Sequence, residues 1–172
     1  EALVVESKGI HSVEKFLIAR RMMYWQVYLH KAVLGTEYLL INIMRRAKEL
    51  ATEGAVLFAS PSFSYFLYHK IDKTDFKNNP VPLQHFVNLD DADIIVSIKV
   101  WQDHSDPILA RLCKMMIQRR LFKVHISTDN LQPQFERMHE KISKAGQYSA
   151  TELGYYMVNG KTGNDTYNSK DN

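Results

Sequence analysis

Four side chains early in the chain have the types and spacing to face an anion. Arg20, Tyr24, Tyr28 and Lys31 recur at i, i+4, i+8 and i+11, and Tyr38 and Asn42 continue the line. At about 100° per residue they share one wall of a helix. Cations and phenols aligned on a helix that is otherwise buried need something to satisfy them. An anionic ligand in a cleft would do so, and so would acidic side chains on neighbouring helices.

The element that must carry this stripe runs from Ser12 to about Leu50. It contains no proline and a single glycine, Gly35, where any break is expected. Strong helix formers fill it, so the pattern predicts one helix roughly 58 Å long. Ser12 is the expected N-cap, Glu14 falls in the first turn, and Arg45, Arg46 and Lys48 lie near the C-terminal end, each favoured there by the helix dipole. Phe16, Met23, Val27, Leu34 and Ile41 share one side; Ile18, Met22, Trp25, Leu29, Leu40 and Ile43 lie roughly opposite. A helix apolar on two sides is expected to be buried between other elements.

The bulk numbers suit a soluble globular chain. There are 172 residues, 45% hydrophobic and 24% charged, enough for one domain or one plus a small appendage. Net charge is +3, too weak to argue for nucleic acid as a partner. Cys113 is the only cysteine, which rules out an internal disulfide and a cysteine zinc site and favours a reducing, cytoplasmic setting. No stretch reaches about 18 uninterrupted apolar residues, so no membrane span is expected. The chain opens with Glu1 rather than methionine, directly into an apolar run, and is expected to be a piece of something larger.

Along the chain, Ala2–Glu6 reads as a strand lacking its partner, and Gly54 as the residue ending the long helix. Ser60 and Pro61 open either a short helix to about His69 or an aromatic strand. Ile71–Pro82 reads as the main surface loop. Asp90 or Asp91 caps a helix over Ala92–Gln102, with Ile94, Ile98 and Trp101 on one face; Asp106-Pro107 opens another that runs to Arg120. Leu121–Ser127 alternates and reads as a strand, Pro133–Ala145 as an amphipathic helix, and Gly154–Val158 as a second strand. Lys161–Asn172 reads as a loop or frayed end. The expected class is therefore α+β, predominantly α-helical: a long central helix, helices packed on it, and a small C-terminal β-α-β layer.

No glycine-rich phosphate loop, zinc-protease helix or nucleophile elbow is present. The seven histidines form no i, i+3 or i+4 pair. His104-Ser105-Asp106 reads as a helix start rather than a metal site, Asp90, Asp91 and Asp93 as a cap with first-turn acids, and Cys113 as inert core.

The chain nevertheless resembles a known family. Leu3-Val4-Val5-Glu6-Ser7-Lys8-Gly9-Ile10, then Ala19-Arg20-Arg21-Met22-Met23-Tyr24 and Gln26-Val27-Tyr28-Leu29-His30-Lys31, look like the HD-domain phosphohydrolases, specifically the bacterial branch of the deoxynucleoside triphosphate triphosphohydrolases. Asn88-Leu89-Asp90-Asp91, Lys99-Val100-Trp101, Arg120-Leu121-Phe122-Lys123 and Gly163-Asn164-Asp165-Thr166-Tyr167 extend the likeness over nearly the whole chain.

The resemblance implies a divalent metal bound by His and Asp residues that precede this stretch in the family; no His-Asp dipeptide occurs here. Residues 1–120 would be the C-terminal part of an incomplete HD-type helical catalytic lobe, and 121–172 a small α+β accessory region. The implied activity of the intact parent is metal-dependent hydrolysis of a nucleoside triphosphate, releasing triphosphate, with no catalytic or metal-binding residue in this stretch and the stretch alone inactive. Arg20 matches a family arginine on substrate phosphate, and Tyr28 a tyrosine beside the sugar and base; Tyr24 lies between them on the stripe. His30, Lys31 and Lys114 match residues that bind a regulatory nucleotide between subunits of tetrameric relatives. Leu29 stands where vertebrate relatives carry glutamine, and Ala110 where the tetrameric ones carry arginine. The alternative is a non-catalytic regulatory or oligomerisation module with a structural stripe. A homo-oligomer is expected on either reading.

Overall fold

Seven helices among the described residues begin at a side chain that caps them, six of them at a side-chain oxygen. Ser60, Asp72, Asn79, Asp90, Asp106 and Ser149 each accept a hydrogen bond from a first-turn backbone N–H, satisfying donors that the helix cannot satisfy itself. Prolines occupy the first helical position after Ser60, Asn79 and Asp106, where the missing N–H costs nothing. The structure, a computed structural model, describes residues 4–162. Its helices are α1 (Ile10–Met23), α2 (Lys31–Thr52), α3 (Pro61–Tyr68), α4 (Lys73–Asn78), α5 (Pro80–Val87), α6 (Asp91–Trp101), α7 (Pro107–Ile117), α8 (Gln132–Lys144) and α9 (Ala150–Tyr156). A 3-10 turn at Ser7–Gly9 precedes α1, and a π-helical turn at Tyr24–Tyr28 follows it.

The single long helix is corrected to two. The break falls at Leu29–His30, not at Gly35: His30 is extended (φ −65°, ψ 134°), and its Nδ1 accepts from the Ala32 N–H as the cap of α2. The first helix starts at Ile10 without a side-chain cap, so Ser12 lies inside it. Gly35 instead makes room for a neighbour, since a Cβ there would lie 2.9 Å from the carbonyl oxygen of Phe122.

The expected α+β class with a β-α-β layer is also wrong. The described residues are 68% helix, with no strand among them. Gly154–Val158 begins inside α9, which a reciprocal Ser149–Glu152 capping box starts. Residues 121–127 form no regular element; Phe122 and Val124 pass close to Gly35. The surface loop expected at Ile71–Pro82 holds α4 and the start of α5, begun by an Asp72–Asp75 capping box and by Asn79. Val4–Glu6 is exposed and irregular; residues 1–3 and 163–172, including Gly163–Tyr167, lie outside the described residues.

The core forms around α2. Leu39, Ile43, Ala47 and Leu50 are buried against Phe63 and Leu67 of α3, Ile98 and Trp101 of α6, and Leu109, Leu112 and Cys113 of α7. Trp101 buries its ring while its Nε1–H donates to the carbonyl of Phe58 at 2.9 Å. Helix α7 runs antiparallel to α2: its start pairs with Arg46, and the chain just beyond its end meets Gly35. Both helices close with a Schellman motif. Ala55 N–H returns to Leu50 O with Gly54 at φ +91°, and Arg120 N–H to Met115 O with Arg119 at φ +55°. Residue α1 positions, by contrast, are nowhere buried.

Candidate functional site

The upper half of the stripe forms one cluster. The Arg20 guanidinium reaches the Tyr24 hydroxyl at 3.4 Å and lies 5.6 Å from its ring centroid. Tyr24 and Tyr28 pack with centroids 5.0 Å apart. The π turn brings the rings together: Leu29 N–H bonds back to Tyr24 O at 2.8 Å, one residue wider than an α-helical bond. Phe16, Ala19, Arg20, Met23, Tyr24 and Tyr28 line an open recess of about 290 Å³. No carboxylate pairs with Arg20 among the described residues. A cation, two phenols and an apolar floor suit a ligand that has an anionic end and a flat ring.

The lower half of the stripe is occupied by protein. Asn42 is buried and donates to the Tyr155 carbonyl at 2.8 Å. Gly160 lies so close to the Tyr38 phenol that a Cβ has no space. Lys31 is exposed at the start of α2, beside the capping His30. Lys114 is not joined to either; its Nζ lies 3.8 Å from Asp103 Oδ1. Thus Arg20, Tyr24 and Tyr28 come together, His30 and Lys31 adjoin across the break, and Lys114 stands apart on α7.

A second polar cluster, which the sequence did not signal, joins α2, α7 and α9. Arg46 Nε and Nη2 donate to the two carboxylate oxygens of Asp106 at 3.2 and 2.6 Å, and Nη1 donates to Glu49 at 3.3 Å. Glu49 also accepts from the Tyr155 hydroxyl. Arg45 lies over the Tyr155 ring at 4.2 Å and donates to Gly154 O at 2.6 Å. Burial works to raise the Asp106 carboxyl, but the Arg46 hydrogen bonds, the Leu109 N–H and the Arg46 charge outweigh it and hold it below the usual carboxylate range. Every polar group here is matched within the chain, which marks the cluster as structural. Arg46 and the helix-opening Asp106 were visible in sequence; nothing local indicated that they pair.

Cys113 is fully buried, and burial pushes its thiol up to about 12, consistent with inert core rather than a nucleophile. Asp93 accepts from the Asp90 N–H as part of a capping box, and its carboxyl is held low by Ser60 first and by that N–H second. Among the described residues, no three His, Cys, Asp or Glu side chains are grouped to hold a metal ion, so the divalent metal implied by the resemblance finds no ligand set in them. No helix among these residues is long and apolar enough to cross a membrane.

Comparison with known proteins bears on the family of the chain. The family model described as HD associated region matches residues 1–55, which include α1, the π turn and α2. The fold is similar to a crystal structure of a phosphohydrolase from Bacteroides thetaiotaomicron, with a TM-score of 0.81 and 46% identity, covering 88% of this chain and 38% of that one. The uncharacterized protein YwfO of Bacillus subtilis (strain 168) is 30% identical over 159 residues, or 92% of this chain and 34% of that protein. The chain thus spans little more than a third of the length of these relatives. These matches support an HD-domain phosphohydrolase-associated family for this chain.

Proposed function

We propose that this chain is the part of a nucleoside triphosphate phosphohydrolase that grips the substrate, with a deoxynucleoside triphosphate as substrate and triphosphate as product. Arg20 binds phosphate oxygens, Tyr28 packs on the sugar and base, and Tyr24 holds the guanidinium in place. The observation that carries this reading is the Arg20–Tyr24–Tyr28 cluster itself. It faces an open recess, and its cation is held by a phenol rather than by an acid. Among the described residues, acidic neighbours, the other means of satisfying the stripe, do not supply that partner. The reading assigns the metal and its ligands to the larger share of the relatives' length, beyond the stretch this chain spans. Calorimetric titration with inorganic triphosphate and with a non-hydrolysable deoxynucleoside triphosphate tests it. Binding should weaken about tenfold or more in Arg20→Ala; equal binding by the variant refutes the assignment. The 172-residue chain should release no triphosphate by itself, and metal-dependent release at the rate of a full-length relative would overturn that division of labour.

A second reading has its own observation. Phe16, Ile18, Met23, Trp25 and Val27 are about half exposed or more, on both sides of the helical arm. Full burial of such a side chain from water is worth roughly 1.5–3 kcal/mol, and covering the exposed half about half of that. An exposed apolar surface of this kind favours association, so we propose a homo-oligomer formed through α1 and the π turn. Light scattering at micromolar concentration should give a mass above the 20.0 kDa of the chain; a monomer over that range refutes it.

A further inference from the structure

The break between α1 and α2 lies where the sequence supplies no breaker. Residues 10–52 contain no proline, and their one glycine, Gly35, is inside α2. The interruption at Leu29–His30 is held by the wide Leu29–Tyr24 hydrogen bond and by the His30 imidazole on the Ala32 N–H. Such an interruption can revert to α-helix, because each residue that rejoins the helix regains an i→i−4 bond. Little packing opposes the change. No residue of α1 is buried, whereas α2 is anchored in the fold from Leu34 and Gly35 onward.

The break also divides the candidate site. Arg20, Tyr24 and Tyr28 lie before it and Lys31 lies after it. In a continuous helix, eleven residues bring Lys31 to within about 20° of Arg20 around the axis and roughly 16.5 Å along it, with both phenols between them. Two long cationic side chains would then reach towards one elongated anion from either end.

We infer that residues 24–30 are a ligand-operated joint: the bent form of the structure interconverts with a continuous helix, and a polyphosphate held by Arg20 and Lys31 selects the continuous form. The inference rests on the proposed phosphate-facing role of the stripe. A ligand shifts such an equilibrium only through contacts that it makes better in one state, and here those contacts are the simultaneous grips of the two cations.

The test places spin labels at Lys15→Cys and Glu37→Cys, both exposed, in the full chain; the buried Cys113 stays unlabelled. A continuous helix puts these backbone positions about 33 Å apart, and any bend shortens that distance. Inorganic triphosphate should shift the distance distribution towards the long value, and Arg20→Ala should abolish the shift. His30→Ala removes the imidazole cap and introduces the best helix former, so it should lengthen the distance without ligand. If triphosphate binds by calorimetry without lengthening the distance, or if His30→Ala leaves the distance unchanged, the joint is refuted while the binding site stands. If triphosphate does not bind at all, both the site and its joint are refuted.

Discussion

Arg46 and Asp106, 60 residues apart, meet through two parallel hydrogen bonds, and Asp106 also caps the first turn of α7 through the Leu109 N–H. One carboxylate therefore fixes both where α7 begins and where it lies against α2. The side chains are only 15% and 13% exposed, so removing one leaves the other charge largely buried. Asp106→Ala should cost about 3–5 kcal/mol by urea denaturation, and Asp106→Asn, which retains a capping oxygen, distinctly less. Equal losses would mean that the cap contributes nothing beyond the charge.

Acid should act through the same group. The Asp106 carboxyl lies below its ordinary value in the folded chain, so the unfolded chain binds the proton more tightly. Its contribution is complete above about pH 4 and is lost as pH falls through the lower folded value. The capping carboxylates of Asp72 and Glu152, held low chiefly by the backbone N–H groups of Asp75 and Ser149, act in the same direction. Chemical denaturation between pH 5 and 2 should show stability falling steadily, and the fall should be shallower in Asp106→Asn.

Two glycines should respond oppositely to alanine. At Gly35 a Cβ would press on the Phe122 carbonyl, a backbone atom that cannot rotate away, so Gly35→Ala should lose about 1–3 kcal/mol despite its better helix propensity. At Gly154, inside α9, nothing lies within 4 Å, and Gly154→Ala should gain about 0.5–1 kcal/mol. Thermal unfolding of the two variants separates close approach from conformational freedom.

Arg20→Ala offers the reverse contrast. The residue is exposed and makes only a long bond to Tyr24, so stability should stay within about 0.5 kcal/mol of the parent chain. Affinity for triphosphate should fall about tenfold or more, the scale of a charged hydrogen bond. A large loss of stability would show that the guanidinium supports the fold rather than a ligand.

Signals carried by a few neighbouring residues were legible, and relationships at a distance were not. Ser60-Pro61, Asp90 and Asp106-Pro107 mark their helix starts because a cap acts within one turn. Ser149-Ala150-Thr151-Glu152 carries an equally readable capping box, of which the expectation of a strand at Gly154–Val158 took no account. Leu121–Ser127 has strand alternation, yet a strand needs a partner, and no sequence pattern of one segment supplies that. The break at His30 escaped because every neighbouring residue tolerates helix. In the stripe, the spacing of Arg20, Tyr24 and Tyr28 predicted their clustering, whereas the burial of Asn42 depends on α9, far along the chain.

That last contact sets an order on biosynthesis. The Asn42 amide is buried, and its acceptor is the carbonyl of Tyr155, 113 residues later. At roughly 5–20 residues per second, a ribosome needs about 6–23 s to deliver that partner after Asn42 has been made. Until then the amide must stay hydrated, because an unmatched buried donor costs about 1–3 kcal/mol. This face of α2 is therefore sealed only after Tyr155 has been translated, and a nascent chain stalled before Tyr155 would leave the neighbouring core open to solvent and to chaperones.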